Sequence, residues 1–145
     1  MKRFVDNDQA PASLPLSKLR GLPNAARVAL KVRRINSCAQ LLAVAATPEA
    51  RQRLCAETGL SEALVLSLVC RADMARVRGV GAVFGMMLED LDVADVGRLA
   101  AAEAAELHEK LRIYNDEERI ARRSPTFDEV TEWILQARGL PPLVS

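Results

Sequence analysis

The stretch RVRGVGAVFGMMLEDLD, residues 76–92, decides how the rest of the chain is interpreted. A Gly-Val-Gly turn follows two arginines and leads into a short apolar segment that ends among acids. Glycines at a helix start let another group approach the backbone closely, and that group is either a phosphate or a neighbouring helix. Because the segment is apolar almost all round, we expect it to be buried and the turn to be architectural rather than phosphate-binding. Gly85 within it is expected to be a close-contact position.

The same pattern occurs earlier in the chain. LRGLPNAARVALKVRRINSCAQLLAVA, from residue 19, aligns without a gap on VRGVGAVFGMMLEDLDVADVGRLAAAE, from residue 77. Gly21 falls on Gly79 and Leu30 on Leu88. We therefore predict two repeats, at about 16–57 and 73–112, that bury their apolar faces by packing together.

Capping residues predict helices over most of the chain and no strand. Ser37 with Gln40 and Thr126 with Glu129 have the spacing of capping boxes, and Asn24 is predicted to cap the first long helix. The fold class is therefore all-α, with a flexible tail over residues 1–14, a domain over 15–140 and a C-terminal helix over about 126–138.

Apolar spacing predicts which helix faces are buried. In the first repeat, the expected stripe consists of Val28, Val32 and Ile35. The C-terminal helix is expected to dock through Phe127, Trp133 and Ile134. A longer helix is predicted over about 104–122, with a break near Asn115.

Three segments carry a resemblance to a known family: RADMARVRGVG, LHEKL and RRSPTFDEVTEWI. With the Gly-x-Gly turn, they make residues 14–140 resemble a prokaryotic all-α domain family of unknown function built on tandem helix-hairpin-helix units. The resemblance implies a C-terminal helix docked on two such repeats and no known enzymatic activity. Distant relatives of the hairpin bind DNA through backbone amides, which is an analogy of fold and not of site.

Charge is unevenly divided between the repeats. No acid occurs between Gln9 and Pro48, a stretch with six bases, whereas Gly79 to Leu111 holds seven acids and two bases. Such a division is typical of a polyanion site or of two surfaces that attract each other. The residues that would contact phosphate or DNA are Arg20, Gly21, Arg27, Lys31, Arg33, Arg34, Arg78, Gly79 and Gly81.

Each hairpin has a fault as a phosphate site. Pro23 replaces the second glycine of the first hairpin and carries no N–H donor, and acids follow the second hairpin. We therefore expect a non-enzymatic interaction module that associates with itself or with a protein partner. The alternative is weak, sequence-independent binding of duplex DNA through hairpin amides and the basic first repeat.

Other function classes find no support in the sequence. It has no nucleophile with a base at motif spacing, no metal-ligand cluster and no Walker-type loop, so we expect no enzyme, cofactor, metal or small-molecule substrate. Scarce aromatic residues argue against stacking of exposed bases. No apolar run reaches the length of a membrane span, and the odd set Cys38, Cys55 and Cys70 favours free thiols in the cytoplasm.

Overall fold

The computed structural model describes residues 14–19 and 21–145, and every regular element among them is a helix. The all-α prediction is confirmed for these residues. The predicted tail lies outside them except for Leu14, whose carbonyl accepts a hydrogen bond from the Cys38 amide at 2.8 Å. No helix in the described part is both long and apolar enough to cross a membrane.

The chain divides into two compact units. The first contains the described residues up to Arg76, together with Pro142–Ser145, and the second is Val77–Pro141. After a 3-10 turn at Leu16–Lys18, the helices of the first unit are α1 Asn24–Val32, α2 Cys38–Ala45, α3 Pro48–Thr58 and α4 Glu62–Met74. Those of the second unit are α5 Gly81–Asp90, α6 Val96–Ala101, α7 Ala104–Glu118 and α8 Phe127–Gly139.

Side-chain caps fix the starts of most helices, as predicted. The Ser37 hydroxyl accepts from the Gln40 amide at 3.1 Å, and the Gln40 side chain accepts from the Ser37 amide at 3.2 Å. The second capping box, between Thr126 and Glu129, is also present. The prediction for Asn24 was wrong, because Pro23 occupies the N-cap position and Asn24 is already helical.

Helix α7 ends earlier than predicted and has no break at Asn115. It stops at Glu118, where Arg119 adopts the left-handed conformation with φ 54°. The buried Asn115 side chain accepts from the Ala121 amide at 2.8 Å and donates to the Ala121 carbonyl at 3.2 Å. Asn115 therefore closes the turn after the helix, because it pairs with both backbone polar groups of Ala121.

The first unit has a continuous apolar core. Helix α2 packs against α3 and α4, which also pack on each other. Leu30 of α1 belongs to the same cluster. The buried members contributed by α2 and α4 are Cys38, Leu41, Leu42, Ala45, Val65, Leu68, Val69 and Ala72.

In the second unit, α8 packs against α6 and α7, and α5 packs against α7. Trp133 of α8 is 1% exposed, and its ring lies 5.4 Å from that of Phe84. Ile134 is also buried, but Phe127 is 47% exposed, and its ring centroid lies 5.8 Å from that of His108 in an edge-to-face arrangement. Phe127 was therefore wrongly assigned to the core: it is the first helical residue, one turn before the buried stripe begins at Val130.

The two units repeat the same local structures. The left-handed residues Arg34 and Asp92, with φ 62° and 66°, stand at equivalent places after α1 and α5. The amide of the next residue then donates to a carbonyl of the preceding helix. The bond runs from Ile35 to Leu30 at 3.0 Å in the first unit and from Val93 to Leu88 at 2.8 Å in the second. Helices α4 and α8 have 13 residues each and begin at the hydroxyl caps Ser61 and Thr126. Four buried residues fall at the same positions in each, Val65, Leu68, Val69 and Ala72 in α4 and Val130, Trp133, Ile134 and Ala137 in α8, while Asp73 and Met74 are buried in α4 alone.

Candidate interaction surface

Helix α1 exposes the face that its sequence pattern predicts to be buried. Val28 is 46% and Val32 73% exposed, whereas Ala26 and Leu30 are each 1% exposed. The prediction failed because Ile35 is not part of the helix, which ends at Val32. Ala26 and Leu30, one turn apart, therefore set the inward face, and the two valines point away from the core.

Basic side chains lie beside these valines. Arg27, Lys31 and Arg34 are all exposed. The Arg27 guanidinium bonds the Asn24 side chain at 2.5 Å, but no carboxylate among the described residues pairs with Lys31 or Arg34. We call Arg27, Val28, Lys31, Val32 and Arg34 the α1 surface.

Arg33 belongs to a different contact. Its guanidinium donates to the Ala29 carbonyl at 3.2 Å and to the Glu57 carbonyl, and lies 3.7 Å from the Glu57 carboxylate. Arg33 therefore joins the end of α1 to α3. It is not part of the α1 surface.

A basic side chain lies against the first glycine turn. Gly21 is exposed and has φ 75°, and a Cβ added to it would lie 2.6 Å from Nη1 of Arg71 on α4. Arg71 already takes part in another interaction, so we do not count it as a cation that could bind phosphate. The following helix, α1, begins at Asn24 after Pro23 at the N-cap position, with no side-chain cap and no acid in its first turn. Arg20, the other predicted contact, lies outside the described residues.

The second glycine turn is held by α8. Gly79 has φ 95°, and a Cβ there would lie 3.2 Å from Nε1 of Trp133. The Gln136 side chain accepts from the Arg78 amide at 2.8 Å and donates to the Arg78 carbonyl at 3.0 Å. Gly79 is thus the close-contact glycine of this segment, because helix packing and backbone pairing occupy its turn.

Gly85, predicted to be the close-contact position, is not. A Cβ at Gly85 would meet only Cγ1 of Val80, at an ordinary 3.7 Å. Helix α5 is also less buried than its composition predicts, since Val83 is 45% exposed. Gly81 has φ 68° and no atom within 4 Å of an added Cβ, so a positive φ alone accounts for glycine there.

Helix α7 exposes an acidic face with an apolar centre. Ile113 is 44% exposed, and Glu109 and Glu117 lie one turn to either side of it. Arg112 bonds Glu109 at 2.5 Å and Asp116 at 3.3 Å, and its guanidinium lowers the pKa of the Glu109 carboxyl. We call Glu109, Ile113, Asp116 and Glu117 the α7 surface.

The acids of the second unit are largely engaged with its own cations. Arg98 lies 2.8 Å from Asp92 and 3.7 Å from Asp95, and Lys110 lies 3.8 Å from Glu106. The two units therefore differ in how far their charged side chains are already paired. Ion pairs within the second unit offset part of its acidity, whereas Lys31 and Arg34 in the first unit have no such partner among the described residues.

The cysteines and the histidine do not form a chemical centre. Burial raises the pKa of the Cys38 thiol to about 11, and none of Cys38, Cys55 and Cys70 is in a disulfide. His108 contacts the ring of Phe127. Within residues 14–19 and 21–145, no three His, Cys, Asp or Glu side chains come together in a group able to hold a metal ion.

Comparison with known protein families identifies the family of the chain. Residues 20–140 match a family described as a domain of unknown function, DUF4332. The chain belongs to this family. The DUF4332 match begins one residue before the first glycine turn and ends just after α8. The match therefore spans the eight helices α1 to α8. No curated protein and no solved structure matches the chain.

Proposed function

We propose that the chain is a non-enzymatic interaction module that associates with itself through the α1 surface of one copy and the α7 surface of another. The observation that carries this proposal is Val32, which is 73% exposed beside Lys31 and Arg34. Full burial of a valine contributes about 1.5–3 kcal/mol, so this residue gains from a partner. The adjacent bases require that partner to be acidic.

The α7 surface has the complementary composition. Ile113 is its exposed apolar side chain, and the exposed acids Glu109, Asp116 and Glu117 lie within four residues of it on the same helix. Arg112 pairs with Glu109 and Asp116, and the three acids still outnumber this one cation. In such a contact the apolar side chains supply most of the affinity, while the charges set orientation and association rate. Because different surfaces meet, each copy uses both, and the contact runs head to tail.

We further propose that both glycine turns are helix-hairpin-helix turns in a prokaryotic, cytoplasmic protein, and that the two units are tandem copies of one repeat. The equivalent left-handed residues Arg34 and Asp92 support the duplication. So do the matching buried positions of α4 and α8. Under this proposal the repeating element has four helices, and α8 is the counterpart of α4 as well as the helix that docks on the second glycine turn.

Weak, sequence-independent binding of duplex DNA is the second candidate. It is favoured by the exposed Lys31 and Arg34, which have no carboxylate partner among the described residues. Phosphate contacts by a few such side chains give binding that falls steeply with salt. The second glycine turn is a poor contributor, since Gln136 already bonds the backbone of Arg78.

A charge reversal with a matched control tests both candidates. The variant Lys31→Glu with Arg34→Glu is compared with Arg53→Glu with Arg122→Glu, which changes the net charge equally at exposed bases elsewhere. Self-association predicts that only the first variant loses its oligomer in multi-angle light scattering. DNA binding predicts instead a monomeric wild type that retards duplex DNA at low salt. A monomeric wild type that binds no DNA refutes both.

A further inference from the structure

The last residues of the chain dock on the first unit. The Ser145 amide donates to the Ala46 carbonyl at 2.9 Å, and Val144 packs against the apolar core of that unit. Leu143 is 44% exposed. Neighbouring side chains that alternate between core and solvent are typical of an extended peptide lying on a surface.

A buried arginine faces this segment. Arg51 of α3 is 8% exposed, and its Nη1 donates to the Ala45 and Ala46 carbonyls at 3.1 Å each. Its Nη2 donates to the backbone oxygen of Ser145 at 2.6 Å. The bonds to the end of α2 place a cation where the helix dipole is negative. Nη2 is directed at the docked segment.

We propose that the junction of α2 and α3 is a docking site for a short extended peptide, and that Pro142–Ser145 is its resident occupant. Three contacts define the ligand class. The Ala46 carbonyl pairs with a backbone amide, the apolar core receives the side chain one residue earlier, and Arg51 binds the backbone oxygen that follows that amide. The site uses neither the α1 surface nor the α7 surface, so this proposal can be refuted without refuting the proposed self-association.

A peptide added in trans tests the site in the full chain. Val144→Asp places a charge in the apolar contact and releases the resident segment, while Leu143→Asp makes the same change at the exposed neighbour. A fluorescein-labelled peptide of residues 139–145 is titrated with each variant by fluorescence polarisation. We expect it to bind the Val144→Asp chain. The wild type and Leu143→Asp should bind it at least about tenfold more weakly, because a segment docked for nine-tenths of the time leaves one tenth of the sites free.

The peptide carries its own control. A labelled peptide with Asp at position 144 is expected to lose binding to the Val144→Asp chain, whereas one with Asp at position 143 keeps it. Failure of the folded Val144→Asp chain to bind the unmodified peptide overturns the proposal. Equal binding by the wild type and the Val144→Asp chain overturns it as well.

If Val144→Asp does not fold, hydrogen exchange in the wild-type chain tests whether the segment is docked. In the wild type, the Ser145 amide is bonded to the Ala46 carbonyl. It should therefore exchange at least about tenfold more slowly than the same amide in the free peptide. Exchange at the free-peptide rate would show that the segment is not docked and would overturn the proposal.

Discussion

Replacing Gly79 by alanine tests the packing of the second glycine turn against α8. A Cβ at this position has to accept φ 95° and lies 3.2 Å from Nε1 of Trp133. The indole cannot readily move away, because it is 1% exposed and packs on Phe84. Both the backbone conformation and the new contact therefore oppose the substitution.

The magnitude follows from three contributions. A positive φ costs an L-residue about 1–2 kcal/mol, and crowding a fixed ring adds about 1 kcal/mol. The lower entropy of the unfolded alanine chain offsets about 0.4–1 kcal/mol. We expect Gly79→Ala to lower the free energy of unfolding by about 1–3 kcal/mol and Tm by roughly 2–4 °C per kcal/mol.

Two other glycines in the same segment separate these contributions. Gly81 has φ 68° and no atom within 4 Å of an added Cβ, so Gly81→Ala carries the backbone cost without the contact. Gly85 has a helical backbone with room for a methyl group, and Gly85→Ala should stabilise by about 0.5–1 kcal/mol. Thermal unfolding followed by circular dichroism should rank Tm as Gly85→Ala, wild type, Gly81→Ala and Gly79→Ala. If Gly79→Ala melts with or above Gly81→Ala, the contact with Trp133 does not constrain the turn.

Three further outcomes are expected in the second unit. The Arg123 guanidinium lowers the pKa of Glu129 to about 2, so its stabilisation is present above the ordinary carboxyl pKa of about 4.3 and is lost as pH falls toward 2. Glu129→Gln should flatten the pH dependence of the unfolding free energy over that interval in urea titrations. Asn115→Ala leaves the Ala121 amide and carbonyl without side-chain partners and should cost about 1–3 kcal/mol by urea denaturation. Trp133→Ala should cost about 3–5 kcal/mol by thermal unfolding, and a smaller loss would contradict its core position.

Local features of the fold could be read from the sequence because their contacts are local. A capping box joins residues three apart, so Ser37 with Gln40 and Thr126 with Glu129 specify their helix starts wherever the helices lie. The prediction that Asn24 caps α1 failed because Pro23, one residue earlier, has a fixed φ that already suits the N-cap position.

The orientation of α1 could not be read in the same way. Valines are expected inside a core, but the inward face is set by Ala26 and Leu30. A small residue that packs closely leaves a weak signal in hydropathy. The pattern therefore predicted Val28 and Val32 to be buried, when they are instead the exposed part of the candidate surface.

Contacts between distant residues were also beyond the sequence. Nothing in the pattern around Gln136 indicates that it pairs with the backbone of Arg78. Similarly, Arg51 resembles any helix-surface arginine until the chain returns to place Ser145 beside it. Such pairings depend on tertiary packing, which hydrophobic periodicity does not encode.

Complementation between two single variants tests the proposed self-association most directly. Val32→Asp disables the α1 surface and leaves α7 intact, and Ile113→Asp does the reverse. Leu135→Asp is the control, since Leu135 is also exposed on a helix, at 57%. Sedimentation velocity of each variant alone and of the equimolar mixture gives the oligomeric state.

The proposal predicts that Val32→Asp and Ile113→Asp are each monomeric alone and that their mixture forms a one-to-one heterodimer. That heterodimer joins the intact α7 surface of the first to the intact α1 surface of the second and cannot grow further. Leu135→Asp should associate as the wild type does. A mixture that remains monomeric, or a Val32→Asp chain that still associates alone, would contradict the head-to-tail contact.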